Sequence, residues 1–115
     1  MVIENLLYKH EAYEIAGCCM EVHRQLGVGF LEIVYKDALE IEFINSHIGH
    51  EREKELRINY KGRFLNRKFY ADFFVMDKII LEVKATREAI CKDNIAQTLH
   101  YLEASDCKLA LIINF

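Results

Sequence analysis

The sequence predicts an α/β domain with a mixed central β-sheet flanked by helices, in the order α-α-β-β-β-α-β. Three observations carry this. Apolar residues recur at helical spacing through the first third of the chain. A hairpin rich in aromatic and β-branched residues spans Phe69 to Thr86. A helix-like stripe and one more apolar run, Leu109 to Ile113, close the chain.

The first helix runs from about Leu6 or His10 to Leu26. Ala12, Ile15, Cys19, Val22 and Leu26 repeat at 3-4-3-4 spacing and form one stripe. Gly27 supplies its stop. His23 and Arg24 fall in the last turn, where positive charge suits the helix dipole, and that plain role is preferred to a catalytic one for His23. Gly27-Val28-Gly29 is a turn; without a preceding strand or a Gly-Lys-Ser/Thr ending it is not a phosphate-binding P-loop.

The second helix spans Leu31 to Ser46, with Leu31, Val34, Tyr35, Ala38 and Ile41 expected toward the core. Glu32 lies in its first turn, and the simplest expectation is an i,i+4 ion pair with Lys36. From Glu51 to Lys68 the chain turns polar, with seven Lys or Arg against three Glu. Leu56, Ile58 and Tyr60 alternate as a strand, and Lys61-Gly62-Arg63 is a turn. Charge on a solvated edge strand is the default explanation; a ridge that contacts phosphate is the sharper one.

The hairpin holds three charged residues that its apolar setting does not explain. Side chains alternate faces along a strand, so Glu82 and Lys84 share one. A three-residue loop at Met76, Asp77 and Lys78 places Asp72 opposite Glu82; a two-residue loop would turn Asp72 to the other face, so the odd-length loop, or a bulge that restores the register, is expected. Opposed carboxylates repel each other unless something compensates. Either Asp72 lies at a wet strand end and Lys84 pairs with Glu82, or a hard divalent cation takes both carboxylates and keeps water or substrate oxygens elsewhere. After the hairpin comes a helix over Lys92 to Ala104, with Ile95, Leu99 and Leu102 as its expected stripe. It puts Gln97 and Tyr101 on one face at i,i+4. The last strand covers Lys108 to Asn114.

Composition bounds the function. The 115 residues suit one domain over the whole chain, 1–115, with a hydrophobic fraction of 52% and a charged fraction of 29%. The net charge of −3 gives no overall basic field, which counts mildly against a non-specific nucleic-acid binder. Cys18, Cys19, Cys91 and Cys107 lack a Cys-x-x-Cys spacing and read as reduced thiols of a cytoplasmic protein. His47 and His50 have no partners for a zinc site. No apolar run is long enough for a membrane span, and the first residues, acidic among apolar ones, do not read as a signal peptide.

Asp72, a gap, then Glu82-x-Lys84 on adjacent strands resembles the PD-(D/E)XK nuclease superfamily, with Ala71-Asp72 in place of Pro-Asp. Gly29-Phe30-Leu31-Glu32-Ile33-Val34-Tyr35 resembles the motif that names the GxxExxY proteins within it, although Val28 stands where proline is common. Gln97-x-x-x-Tyr101 matches a QxxxY motif of the RecB-like branch.

The resemblance implies a restriction-endonuclease-like core. It implies a nuclease that hydrolyses phosphodiesters with Mg²⁺ or Mn²⁺. Asp72, Glu82, the Val83 carbonyl and Glu32 would hold the ion. Lys84 would act on the attacking water, and Gln97 and Tyr101 would position the phosphate. Tyr35 is expected to support the fold. Expected partners are nucleic acid, DNA before RNA, and a second copy in a homodimer, with no membrane. The alternative is a non-catalytic module, binding nucleic acid or protein, that retains the fold.

Overall fold

The computed structural model describes residues 7–105 and 107–115. Its elements are α1 (Lys9–Leu26), α2 (Glu32–Asn45), β1 (His50–Tyr60), β2 (Arg63–Val75), β3 (Ile79–Lys84), α3 (Lys92–Ser105) and β4 (Leu109–Asn114). This is the expected order; the proposed start of the first helix at Leu6 lies outside the described residues. The four strands follow one another across the sheet as β1-β2-β3-β4. The β1/β2 and β2/β3 pairs are antiparallel and β3/β4 is parallel, so the sheet is mixed.

Helix α1 buries the residues its periodicity marks, Ala12, Ile15, Cys19 and Val22. It stops at Gly27, whose φ of 67° is open to glycine and whose N–H reaches the His23 carbonyl. Tyr35 then locks the turn between the helices. Its hydroxyl donates to the Gly27 carbonyl at 2.6 Å and its ring stacks on Phe115.

Two stripes differ from expectation. Helix α2 buries Tyr35, Lys36, Leu39 and Phe43, while Leu31 and Ile41 are exposed. The true stripe is rotated about one position from the expected one, and that rotation takes Lys36 inward. Helix α3 buries Thr98 and Tyr101 and leaves Ile95 and Leu99 exposed. In both cases packing against the sheet overrides the most apolar face.

The β2/β3 loop is Met76-Asp77-Lys78, and the pairs Phe73–Leu81, Phe74–Ile80 and Val75–Ile79 have the register of the three-residue loop. Met76 and Asp77 both adopt positive φ, at 55° each. The β1/β2 hairpin is longer than the sequence suggests, with strands of 11 and 13 residues against six each in β3 and β4.

Helices α1 and α2 cover one face of the sheet. Their cluster takes in Phe73, Val75, Ile79, Leu81 and Val83. Helix α3 covers the other face, where Tyr101 packs with Leu56, Ala71 and Ile80. Ala71 and Phe73 are two residues apart and would share a face in a regular strand; here they face opposite ways. The pleat therefore breaks at Asp72. Its neighbour across the hairpin, Glu53, has a φ of 55°, and no regular pair is formed between them. A non-glycine residue with positive φ inside a strand costs on the order of 1 kcal/mol or more.

Candidate active site

The pleat break and the end of the β2/β3 ladder coincide. Beyond Phe73–Leu81 the two strands separate, and side chains replace the missing backbone bonds. The Asp72 N–H donates to Glu82 Oε1 at 3.0 Å, and the Val83 N–H donates to Asp72 Oδ2 at 2.8 Å. The two carboxylates fill the fork between the strands. Because N–H and C=O of one strand residue point to the same edge, the Val83 carbonyl also faces this fork.

Both carboxylates are desolvated, with Asp72 9% and Glu82 5% exposed. Burial pushes the Glu82 carboxyl up to about 8, and the adjacent Asp72 charge adds to the rise; the Lys84 charge opposes it. Among the described residues Lys84 enters no salt bridge, so the simple Glu82–Lys84 pair is not formed.

The cation that does pair is Lys36, which sequence reasoning missed. Its ammonium donates to Asp72 Oδ1 at 2.9 Å and to Glu53 Oε1. The expected Glu32–Lys36 pair is absent from the ion pairs of the described residues, because Lys36 turns to the sheet. Among the described residues Glu32 forms no salt bridge with Lys36 or any other cation. It sits a helical turn, about 6 Å of rise, before Lys36, and it is not among the groups that shift Glu82. The signal for Lys36 was the i,i+4 series Tyr35, Leu39, Phe43, which puts position 36 at the margin of the buried stripe. Glu53 carried no such signal.

From α3, Tyr101 is buried, and its hydroxyl accepts from Gln97 Nε2 at 3.0 Å. Burial and the nearby Glu82 and Asp72 charges raise its pKa. With Gln97 donating to its oxygen, the Tyr101 proton is left to point elsewhere. Thus Asp72, Glu82, Lys84, Tyr101 and Gln97 gather around the fork, and among the described residues Glu32 makes no direct bond to it. A cavity of about 840 Å³ between α1 and the end of β4, lined by Tyr13, Met20 and Phe115, contains none of them.

A family model described as PD-(D/E)XK nuclease superfamily matches residues 9–115. The chain belongs to that superfamily. No curated protein and no solved structure was matched by the chain. The mixed four-stranded sheet between helices is consistent with a restriction-endonuclease-like fold. Membership supports nuclease chemistry and a nucleic-acid partner. Among the described residues no helix is long and apolar enough to cross a membrane.

Nucleases of this superfamily generally use divalent metals, and the fork fits such an ion. Two desolvated carboxylates stand together, and burial, then the Asp72 charge, raises the Glu82 pKa. Bringing a hard cation to them would offset both causes. Among the described residues no three His, Cys, Asp or Glu side chains form a metal cage. The two carboxylates suit a hard divalent cation that leaves its other positions to water and substrate oxygen.

Proposed function

We propose that this chain is a divalent-metal-dependent nuclease of the GxxExxY group, cleaving phosphodiester bonds at the β2/β3 fork. The observation that carries the reading is the burial of Asp72 against Glu82 where the ladder opens. A purely structural sheet has no need of two carboxylates there. Asp72, Glu82 and the Val83 carbonyl are the groups that would hold Mg²⁺ or Mn²⁺. Bound there, such an ion would make a water acidic and neutralise charge on the phosphate.

The remaining roles belong to side chains. Lys84, on the Glu82 face and without a paired carboxylate among the described residues, would hold the attacking water and counter developing negative charge. Tyr101 donates its free proton to a phosphate oxygen, and Gln97 fixes the hydroxyl's orientation. Lys36 holds Asp72 in the fork from the α2 side. A cytoplasmic setting, DNA as the nucleic acid and a homodimer that enlarges the binding surface complete the proposal.

One observation favours the second reading, a non-catalytic binding module: Lys36 already neutralises Asp72. Cleavage assays on Lys84→Ala separate the two. Loss of about 10²- to 10³-fold in rate with an unchanged melting curve is expected. Cleavage by Lys84→Ala at the wild-type rate contradicts the assignment of Lys84. Absence of Mg²⁺- or Mn²⁺-stimulated cleavage in the wild type, across DNA and RNA substrates, favours the binding module.

A further inference from the structure

The outer half of the β1/β2 hairpin has a composition unlike the rest of the chain. Residues 57–68 include five cations, Arg57, Lys61, Arg63, Arg67 and Lys68, and no carboxylate. The whole chain is net negative at −3, so positive charge is concentrated here. Leu56, paired with Phe69, is the last buried position before this segment. Beyond it every residue of the segment except Ile58 is exposed.

Lys68 pairs with Glu55 at 3.1 Å. Among the described residues the other four cations form no salt bridge. Tyr60 and Phe64 add exposed aromatic rings, 59% and 62% accessible. Charge on an edge strand, Lys above all, protects it against aggregation, but three of these five cations are Arg and all five fall within twelve residues. Five cations without an acid suit a polyanion instead.

The arm is also joined to the fork. Strand β2 carries Arg63 at one end and Asp72 nine residues on. At 3.3 Å per residue that is about 30 Å of ribbon, close to the ~34 Å of one B-DNA turn. A groove lined by Arg57, Asn59, Phe64, His100 and Glu103 runs between the arm and α3, the helix that also carries Gln97 and Tyr101.

We infer that the β1/β2 arm is the nucleic-acid-binding surface of this protein, gripping the phosphate backbone of a DNA duplex and delivering one strand to the fork. The inference rests on the nuclease reading for what happens at the fork, but not for the binding itself. Phosphate contacts by Lys and Arg release counterions, so binding weakens steeply with salt and the slope counts the contacts.

The test is fluorescence anisotropy with a short fluorescein-labelled DNA duplex in EDTA, so that neither metal nor cleavage is required. Three proteins are compared: wild type, a triple variant Lys61→Gln, Arg63→Gln, Arg67→Gln, and a control with the same charge change elsewhere, Lys9→Gln, Arg24→Gln, Lys108→Gln. All six positions are exposed. The arm variant is expected to lose roughly tenfold or more in affinity, and its salt slope to flatten by about 1 per cation removed, while the control binds as wild type. Mg²⁺ calorimetry on the arm variant should be unchanged, which separates failure of the arm from failure of the fork. Native affinity and slope in the arm variant overturn the inference. So does equal loss in the control, which would make the effect one of net charge, or no binding by the wild type. A dimer that dissociates on Phe64→Ser, with DNA binding intact, overturns it in favour of the arm as a subunit interface.

Discussion

On one face of the sheet, α1 and α2 bury Ile15, Val22, Leu39 and Phe43 completely against Phe73, Leu81 and Val83. On the other, α3 buries only Thr98 and Tyr101 and leaves Ile95 and Leu99 to solvent. The first face has the density of a protein core, where removed volume is not recovered by relaxation. The second has a smaller apolar cluster, Leu56, Ala71, Ile80 and Tyr101, then carboxylates, a lysine and an amide. The contrast locates the dense core on the helical-pair face and the proposed chemistry on the α3 face. The pleat break at Asp72 joins them. It lets one strand pack Phe73 against Phe43 and, two residues earlier, Ala71 against Tyr101.

The largest effect should come from the dense face. Phe43→Ala removes a fully buried ring that meets Phe73 edge-on at 5.4 Å. Denaturant titration should show a loss of about 3–5 kcal/mol. A loss under ~1 kcal/mol would mean that this face is not the core the structure describes.

The next effect lies at the junction. Glu82 keeps its proton up to about 8 in the folded state, whereas the ordinary value is 4.5. Between those values the folded protein binds more protons than the unfolded chain, so stability falls as pH rises through the window. In EDTA the melting temperature should decline from about pH 4.5 to about pH 8, and Glu82→Gln should flatten the decline. A wild-type curve that is level across the window would show that Glu82 is not desolvated in this way.

The smallest effect belongs to the thin face. Leu99→Ser changes a residue 54% exposed on α3. Its stability should stay within ~0.5 kcal/mol of wild type. A larger loss would reveal packing on α3 that the structure does not contain.

The order of elements was legible because glycine stops, strand alternation and helical spacing are local signals. The hairpin register was legible because an odd-length loop, or a bulge equivalent to it, keeps Asp72 and Glu82 on the same face, and Phe73–Leu81 has that register. What escaped were the faces of α2 and α3. Apolar residues such as Ile41 and Leu99 lie on their exposed sides, so the strongest stripe was not the buried one. Lys36 escaped for the same reason: with α2 rotated, it read as a surface partner for Glu32. The pleat break escaped because Glu53 takes a positive φ with no glycine or asparagine to announce it. These are tertiary effects, and two of them, Lys36 and Glu53, meet at Asp72.

The central claim is that Asp72 and Glu82 form a divalent-cation site. Calorimetric titration of wild type and Asp72→Asn with Mg²⁺ and Mn²⁺ tests it directly. The account predicts binding to the wild type and its loss in Asp72→Asn, with the fold of both confirmed by circular dichroism. Equal binding to both proteins, or none to the folded wild type, would contradict it.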